Sequence, residues 1–146
     1  MGIGFSPIVT TTTDSQEIVI PVKPFQIPAV SLLTPKIINF VSGGSTMGTT
    51  FVAWSAYSAP SVQWAVGEGA GVLASTTIGA KINLNDYLKN ETQKRIFYDV
   101  ITKSRKVPIY WYNNVSVGDS LFGEAQLKPF FESGYDSSAK TLKYER

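Results

Sequence analysis

The pattern of apolar and polar positions is most regular in residues 49–83. Three short apolar runs lie there, separated by turn signals at residues 58–61 and 67–71. Each run is rich in β-branched, aromatic and small residues, a composition typical of strands. The pattern predicts three consecutive antiparallel strands, with the glycine-rich segment as a hairpin turn that needs positive φ. On these strands Trp54 and Trp64 are expected to pack in the core.

The first 48 residues differ from this block. A polar run at residues 10–15 is followed by a strand candidate at residues 17–22, and Pro21, Pro24, Pro28 and Pro35 then interrupt the chain. Proline removes a ladder donor, so the strands here are expected at sheet edges. A further strand is predicted at residues 36–41. We therefore expect residues 1–48 to form an extended N-terminal arm with edge strands, and residues 49–146 to form a β-rich body within one domain overall. The arm is expected to dock either on a neighbouring subunit, which is preferred, or on its own sheet.

Residues 84–103 allow two interpretations. Apolar residues recur there at helical spacing, but residues 89–95 are polar throughout. The segment is either one helix or a short helix followed by a strand at residues 95–102, and helix is preferred. Strands are also predicted at residues 107–113, 115–121 and 140–144. The expected fold is mainly β with a minor α component (α+β minor): an antiparallel β-sandwich or barrel-like domain with one helix around residues 84–103.

Composition then narrows the function. Charged residues make up 16% of the chain, below the usual share of about 25%, which indicates a surface partly covered by a partner. The sequence has no cysteine and no histidine. Their absence removes thiolate sites, the commonest general base and the commonest transition-metal ligand. We therefore expect no enzyme, and we assign no catalytic residue, cofactor or metal.

Other features of the sequence do not alter this functional expectation. The cluster Gly67, Gly69 and Gly71 lacks the lysine and hydroxyl residue of a phosphate-binding loop, and Glu68 would repel a phosphate. No apolar run reaches the roughly 20 residues of a membrane span. A net charge of +2 gives no electrostatic argument for a membrane or a nucleic acid.

Basic and aromatic residues supply two candidate surfaces. A basic contact patch is predicted from Lys94, Arg95, Lys103, Arg105 and Lys106. Nearby tyrosines could stack nucleic-acid bases, but no recognition motif accompanies them, which argues against nucleic acid as a partner. The stretch Tyr110, Trp111 and Tyr112 could instead stack sugar rings, so carbohydrate stays open as a ligand.

Taken together, the threonine-rich arm at residues 10–15, the prolines of residues 21–35 and the apolar block at residues 49–83 resemble small decoration, neck or tail proteins of tailed bacteriophages. The resemblance implies a non-enzymatic structural subunit of a virion, assembled in the host cytoplasm as a symmetric oligomer with copies of itself and other virion proteins. A β-sandwich carbohydrate- or receptor-binding module is the alternative. The candidate assembly contacts are Phe5, Ile8, Val9, Ile18, Ile20, Tyr110 and Tyr112.

Overall fold

A computed structural model describes residues 1–110 and 117–131 of the chain. Its strands form two small antiparallel sheets. Strand β1 (Ile3–Gly4) pairs with β4 (Phe25–Gln26), and β2 (Ile8–Thr11) pairs with β3 (Glu17–Ile20). All four strands precede the helices of the described chain.

Helices supply the rest of the described architecture. Two 3₁₀ helices, Ala29–Leu32 and Gly44–Thr46, precede α1 (Phe51–Tyr57) and the long α2 (Pro60–Ala80). Then follow α3 (Leu84–Tyr87), α4 (Glu91–Asp99), a π-helix (Val100–Ser104) and α5 (Phe122–Phe131). Helix accounts for 48% of the structure and strand for 12%, so the predicted mainly β sandwich or barrel is wrong.

The break at residues 58–61 separates two helices and not two strands. Thr50 caps α1 by accepting a hydrogen bond from the amide of Ala53 at 3.3 Å. Pro60 is the first residue of α2, where its missing N–H costs nothing and its fixed φ favours the helix. Lys81 ends α2 in the left-handed conformation, with its amide donating to carbonyls of the last turn. The turn signal at residues 58–61 is therefore the end of one helix and the start of the next.

Helix α2 crosses the middle of the core. Six of its seven buried residues lie at the three-to-four spacing of one helix face: Val62, Val66, Gly69, Ala70, Leu73 and Thr77. Val72 is the seventh. Trp54 and Trp64 lie away from this face and are 43% and 78% exposed, so the prediction that they pack in the core is wrong. The apolar face of α2 packs against the side chains of Met1, Ile27 and Leu32 and against Phe97 and Ile101.

Glycines let neighbouring groups approach α2 closely. A Cβ at Gly69 would lie 3.1 Å from both Ile101 Cδ1 and Met1 Sδ, closer than ordinary van der Waals contact. Gly71 faces open space. The glycine-rich segment is thus helix interior, and no residue from 67 to 71 has positive φ. The predicted hairpin turn there is wrong.

Residues 84–104 are helical but interrupted. The chain leaves the helix after α3 and restarts when Asn90 accepts a hydrogen bond from the amide of Gln93 at 3.1 Å. The single helix expected around residues 84–103 is therefore two helices and a π-helical turn, and the alternative strand at residues 95–102 is wrong. The polar residues that weakened the helical pattern include the cap itself.

Of the strands predicted outside the helices after residue 22, none is formed in the described residues. Residues 36–41 do not form the predicted strand. They form turns, and Val41 pairs with Leu33 in an isolated bridge. Residues 117–121 are turns, and residues 107–110 form no strand. The remainder of the strands proposed at residues 107–113 and 115–121, and all of residues 140–144, lie outside the described residues.

The first 26 residues fold back on the same chain. Residues 12–16 turn β2 into β3, with Ser15 at φ 61° and the Thr12 amide donating to the Gln16 carbonyl at 2.8 Å. The amide of Ser6 donates to the carbonyl of Ala56 at 3.0 Å, which ties this region to α1. The division of the chain at residue 48, and the docking of the arm on a neighbouring subunit, stay predictions.

Two titratable groups in this core have displaced pKa values. Burial lowers the pKa of the Met1 amine to about 5 and raises the pKa of the Tyr98 phenol to about 12. Tyr98 also contacts Phe97 edge-on, with ring centroids 5.1 Å apart. Each shift arises because the charged form loses water inside the helical core.

Substitution of the α2 glycines distinguishes a helix from a hairpin turn. Gly71→Ala should raise the free energy of unfolding by about 0.5–1 kcal/mol, because alanine costs less backbone entropy in a helix and meets no neighbour here. Gly69→Ala should stabilise less or destabilise, because its methyl group crowds Met1 and Ile101. Urea unfolding of both variants measures this. Destabilisation by Gly71→Ala would restore the hairpin interpretation.

The buried phenol of Tyr98 predicts a loss of stability at alkaline pH. Its pKa is 10.0 in the unfolded chain and about 12 when folded, so its contribution is complete below pH 10 and is lost between pH 10 and 12. Tyr98→Phe should remove about 2 kcal/mol of this pH dependence. Urea unfolding of both proteins from pH 9 to 12 tests it, and parallel pH profiles would contradict a buried Tyr98.

Candidate functional site

The larger of two adjoining clefts, with a volume of about 770 Å³, opens over the first turns of α2. Its walls come from the 3₁₀ helix at residues 44–46, the junction between α1 and α2, and the residue that follows the π-helix. Nine residues line it: Gly44, Ser45, Ser58, Pro60, Gln63, Trp64, Gly67, Glu68 and Arg105. Its volume lies within the range of about 300–1,000 Å³ that is usual for small-molecule and cofactor sites.

The Gly43–Gly44 loop forms one wall because it lies directly on α2. A Cβ at Gly43 would lie 3.2 Å from the Cβ of Ala70, and Gly44 has φ 60°, which disfavours other residues. The hydroxyl of Thr46 accepts from the Gly43 amide at 3.2 Å and donates to the Gly43 carbonyl at 2.8 Å. This local bonding holds the loop against the helix and leaves the cleft beside it.

Gln63 lines the cleft and carries a buried acceptor that has no hydrogen-bond partner. Its Nε2 donates to the carbonyl of Tyr57 at 3.1 Å, which fixes the amide group, while its Oε1 is buried and has no hydrogen-bond partner. A buried polar atom left without a partner costs about 1–3 kcal/mol. A ligand with an N–H donor at this position would remove that cost.

Trp64 and the pair of Glu68 and Arg105 complete the cleft. The indole of Trp64 is 78% exposed, which gives a planar surface on which a ring can stack. Arg105 Nε donates to Glu68 Oε1 at 2.6 Å, so the carboxylate is compensated and does not repel an anion as the sequence suggested. The amino end of α2 adds partial positive charge at the same place.

The predicted basic patch is not one cationic surface. Lys94 pairs with Glu91 at 2.9 Å, Lys103 with Asp99 at 3.3 Å, and Arg105 with Glu68. Lys106 Nζ lies 5.9 Å from the centroid of the Phe122 ring, and Arg95 is exposed on α4. Arg105 alone among these five lines the larger cleft.

The candidate assembly contacts lie mostly on the hairpin. Val9, Ile18 and Ile20 are 44–46% exposed and Ile8 is half-buried, all on β2 and β3; Phe5 is 42% exposed just before them. Tyr110 is half-buried, and its backbone amide donates to Gln126 Oε1 at 2.6 Å. Tyr112 lies outside the described residues. Self-association and carbohydrate binding through these residues stay predictions.

Sequence reasoning missed most of the cleft. No sequence pattern singles out Gly44 or Gln63, and the prediction for Trp64 was that it packs in the core. The usable signal was Pro60 followed by buried residues at helical spacing, which places Gln63, Trp64 and Gly67 together on one side of a helix. The approach of Arg105 could not be inferred, because it depends on the fold between distant segments.

Two further searches of the described residues gave no site. No group of three or more carboxylates among residues 1–110 and 117–131 is arranged to hold a metal ion. Over the same ranges, no helix, including the long α2, is apolar and long enough to cross a membrane.

The sequence matches the model of a known protein family. The family model described as "FAD dependent oxidoreductase" matches residues 7–96, more than half of the chain and all of the larger cleft except Arg105. Neither the curated proteins nor the solved structures contain a match. The match overturns the predicted phage resemblance, the non-enzymatic role with its binding-module alternative, and the virion location. The chain belongs to the FAD-dependent oxidoreductase family.

Proposed function

We propose that this chain supplies one wall of the FAD site of an oxidoreductase, and that the larger cleft takes the isoalloxazine end of the cofactor. The observation that carries the proposal is the buried, unpartnered Oε1 of Gln63 in a cleft at the start of α2. The family match over this region supports it independently. When bound, FAD supplies two-electron redox chemistry, which side chains cannot perform.

The residues of the cleft fit a flavin ring. Isoalloxazine is planar, so it can stack on the exposed indole of Trp64. It also carries a ring N–H donor, which matches the acceptor that Gln63 offers. Gly44, with positive φ and no side chain, lets the loop pack directly on Gln63 and so form the wall of the cleft.

The charges around the cleft favour electron density on the ring. The amino end of α2 and the guanidinium of Arg105 both lie at the cleft, and both stabilise negative charge beside them. Glu68 holds Arg105 in place at 2.6 Å and is itself largely buried, with 19% of its side chain exposed. In this arrangement Arg105 and the amino end of α2 would orient a bound flavin ring and would stabilise negative charge on it.

The fit covers only part of the cofactor. In the described ranges the strands form antiparallel pairs, whereas the usual site for the ADP portion of a dinucleotide is a parallel βαβ unit with a glycine-rich turn. The glycines of α2 do not replace that turn, because they lie inside a helix. The proposal therefore assigns to this cleft the ring end alone.

Binding of FAD to the intact chain tests this assignment. Trp64→Ala should raise Kd about ten-fold, because loss of ring stacking is worth about 1–3 kcal/mol in comparable sites. Trp54→Ala is the matched control, since Trp54 is an exposed tryptophan on α1 that does not line the cleft. Titration followed by flavin fluorescence gives Kd for all three proteins.

Two results would overturn the proposal. One is the absence of FAD binding to the intact chain at concentrations up to about 1 mM. The other is an equal change of Kd in the Trp64→Ala and Trp54→Ala proteins. Circular dichroism of both variants checks that the helical content is kept, so that a lower affinity reports on the cleft.

A further inference from the structure

A second, smaller cleft of about 300 Å³ lies next to the first. Trp64, Glu68 and Arg105 line both clefts and so form the boundary between them. The smaller cleft is completed by Phe5, Ser61, Val62, Ala65, Lys106, Val107 and Pro108. We propose that it binds a small organic acid, with the carboxylate at Arg105 and Lys106 and the apolar body between Phe5 and Trp64.

The cleft carries an excess of positive charge. Arg105 and Lys106 contribute two cations, and Glu68 contributes one carboxylate that is already bound to Arg105 Nε at 2.6 Å. Nε–H is one of about five N–H donors on a guanidinium. The guanidinium group of Arg105 and the ammonium group of Lys106 each donate more strongly to a carboxylate than to a neutral or cationic ligand.

An irregular backbone brings these two cations to one cleft. The π-helix ends where the amide of Arg105 donates to the carbonyl of Val100 at 3.0 Å, and Lys106 then adopts φ 56°. In a regular helix, consecutive side chains would diverge by about 100°. A π-helical turn and a left-handed lysine both cost energy, and both occur frequently at functional sites.

The other walls are apolar. Val62, Ala65, Val107 and Pro108 form the base of the cleft, and the exposed ring of Phe5 lies at its edge with 42% exposure. A volume of about 300 Å³ is at the lower end for ligand sites, which suits a molecule of about ten non-hydrogen atoms. The chemistry is thus that of a small aryl or alkyl carboxylate.

This assignment deepens the proposed function and rests on it for one step. The acid is a substrate of an oxidoreductase only if the adjoining cleft holds the flavin ring, with Trp64 between the two sites. Binding of the acid itself does not require the flavin. The two assignments can therefore be tested separately on the same protein.

The test uses phenylacetate as probe and phenylacetamide as its uncharged isostere, with isothermal titration of the intact chain. Phenylacetate should bind at least about ten-fold more tightly than the amide. Arg105→Gln and Lys106→Gln should each weaken phenylacetate binding by about ten-fold and leave the amide unchanged. Lys94→Gln, which alters a lysine paired with Glu91 outside the cleft, is the control.

A second measurement locates the probe. The indole N–H signal of Trp64, assigned with Trp64→Phe, should shift on addition of phenylacetate, and the Arg105→Gln and Lys106→Gln proteins should need about ten-fold more phenylacetate for the same shift. Equal affinity for the acid and the amide would overturn the proposal. So would phenylacetate binding that neither substitution weakens, or an unshifted Trp64 signal at saturation.

The outcome also separates the two proposals. If FAD binds with the expected dependence on Trp64 and phenylacetate does not bind, the acid site is wrong and the proposed function stands. If phenylacetate binds through Arg105 and Lys106 while FAD does not bind, the acid site stands and the cofactor assignment is wrong.

Discussion

The close approach of other parts of the chain to α2 is the constraint on which this structure depends. Gly43 lies against Ala70, and Gly69 lies against Met1 and Ile101, at separations that a side chain on either glycine would disturb. These contacts hold the 44–46 loop and the π-helix on either side of one helix. The two clefts are the spaces left beside Trp64, so the packing of α2 determines where a ligand can bind.

Part of this fold was visible in the sequence. The helical signal in residues 84–103 and the break near Pro60 were both detected, and strand pairing near residues 17–22 was also expected. The type of element around Pro60 was wrong, because β-branched and aromatic residues were weighed above the three-to-four spacing of Val62, Val66 and Leu73. Tertiary packing overrides local propensity in this way when small residues let a helix enter the core.

The site was less predictable than the fold. Gln63 and Trp64 share a region of α2 and could have been grouped once a helix was assumed. Arg105 reaches Glu68 across 37 positions of sequence, and its direction depends on a π-helical turn that no local pattern revealed. Absence of histidine and cysteine misled the functional inference as well, because a flavin carries the redox chemistry itself and needs mainly orientation from the protein.

Hydrogen–deuterium exchange with and without FAD tests the central claim, that the flavin ring binds in the cleft lined by the 44–46 loop and the first turns of α2. Gly44 and Gln63 both line that cleft and lie against each other, with Gln63 O 3.7 Å from the position of a Cβ on Gly44. Protection on addition of FAD is expected in residues 43–47 and 58–68, with the β2–β3 hairpin unchanged. Protection confined to other segments, or no protection at a concentration of FAD that saturates binding, would contradict the account.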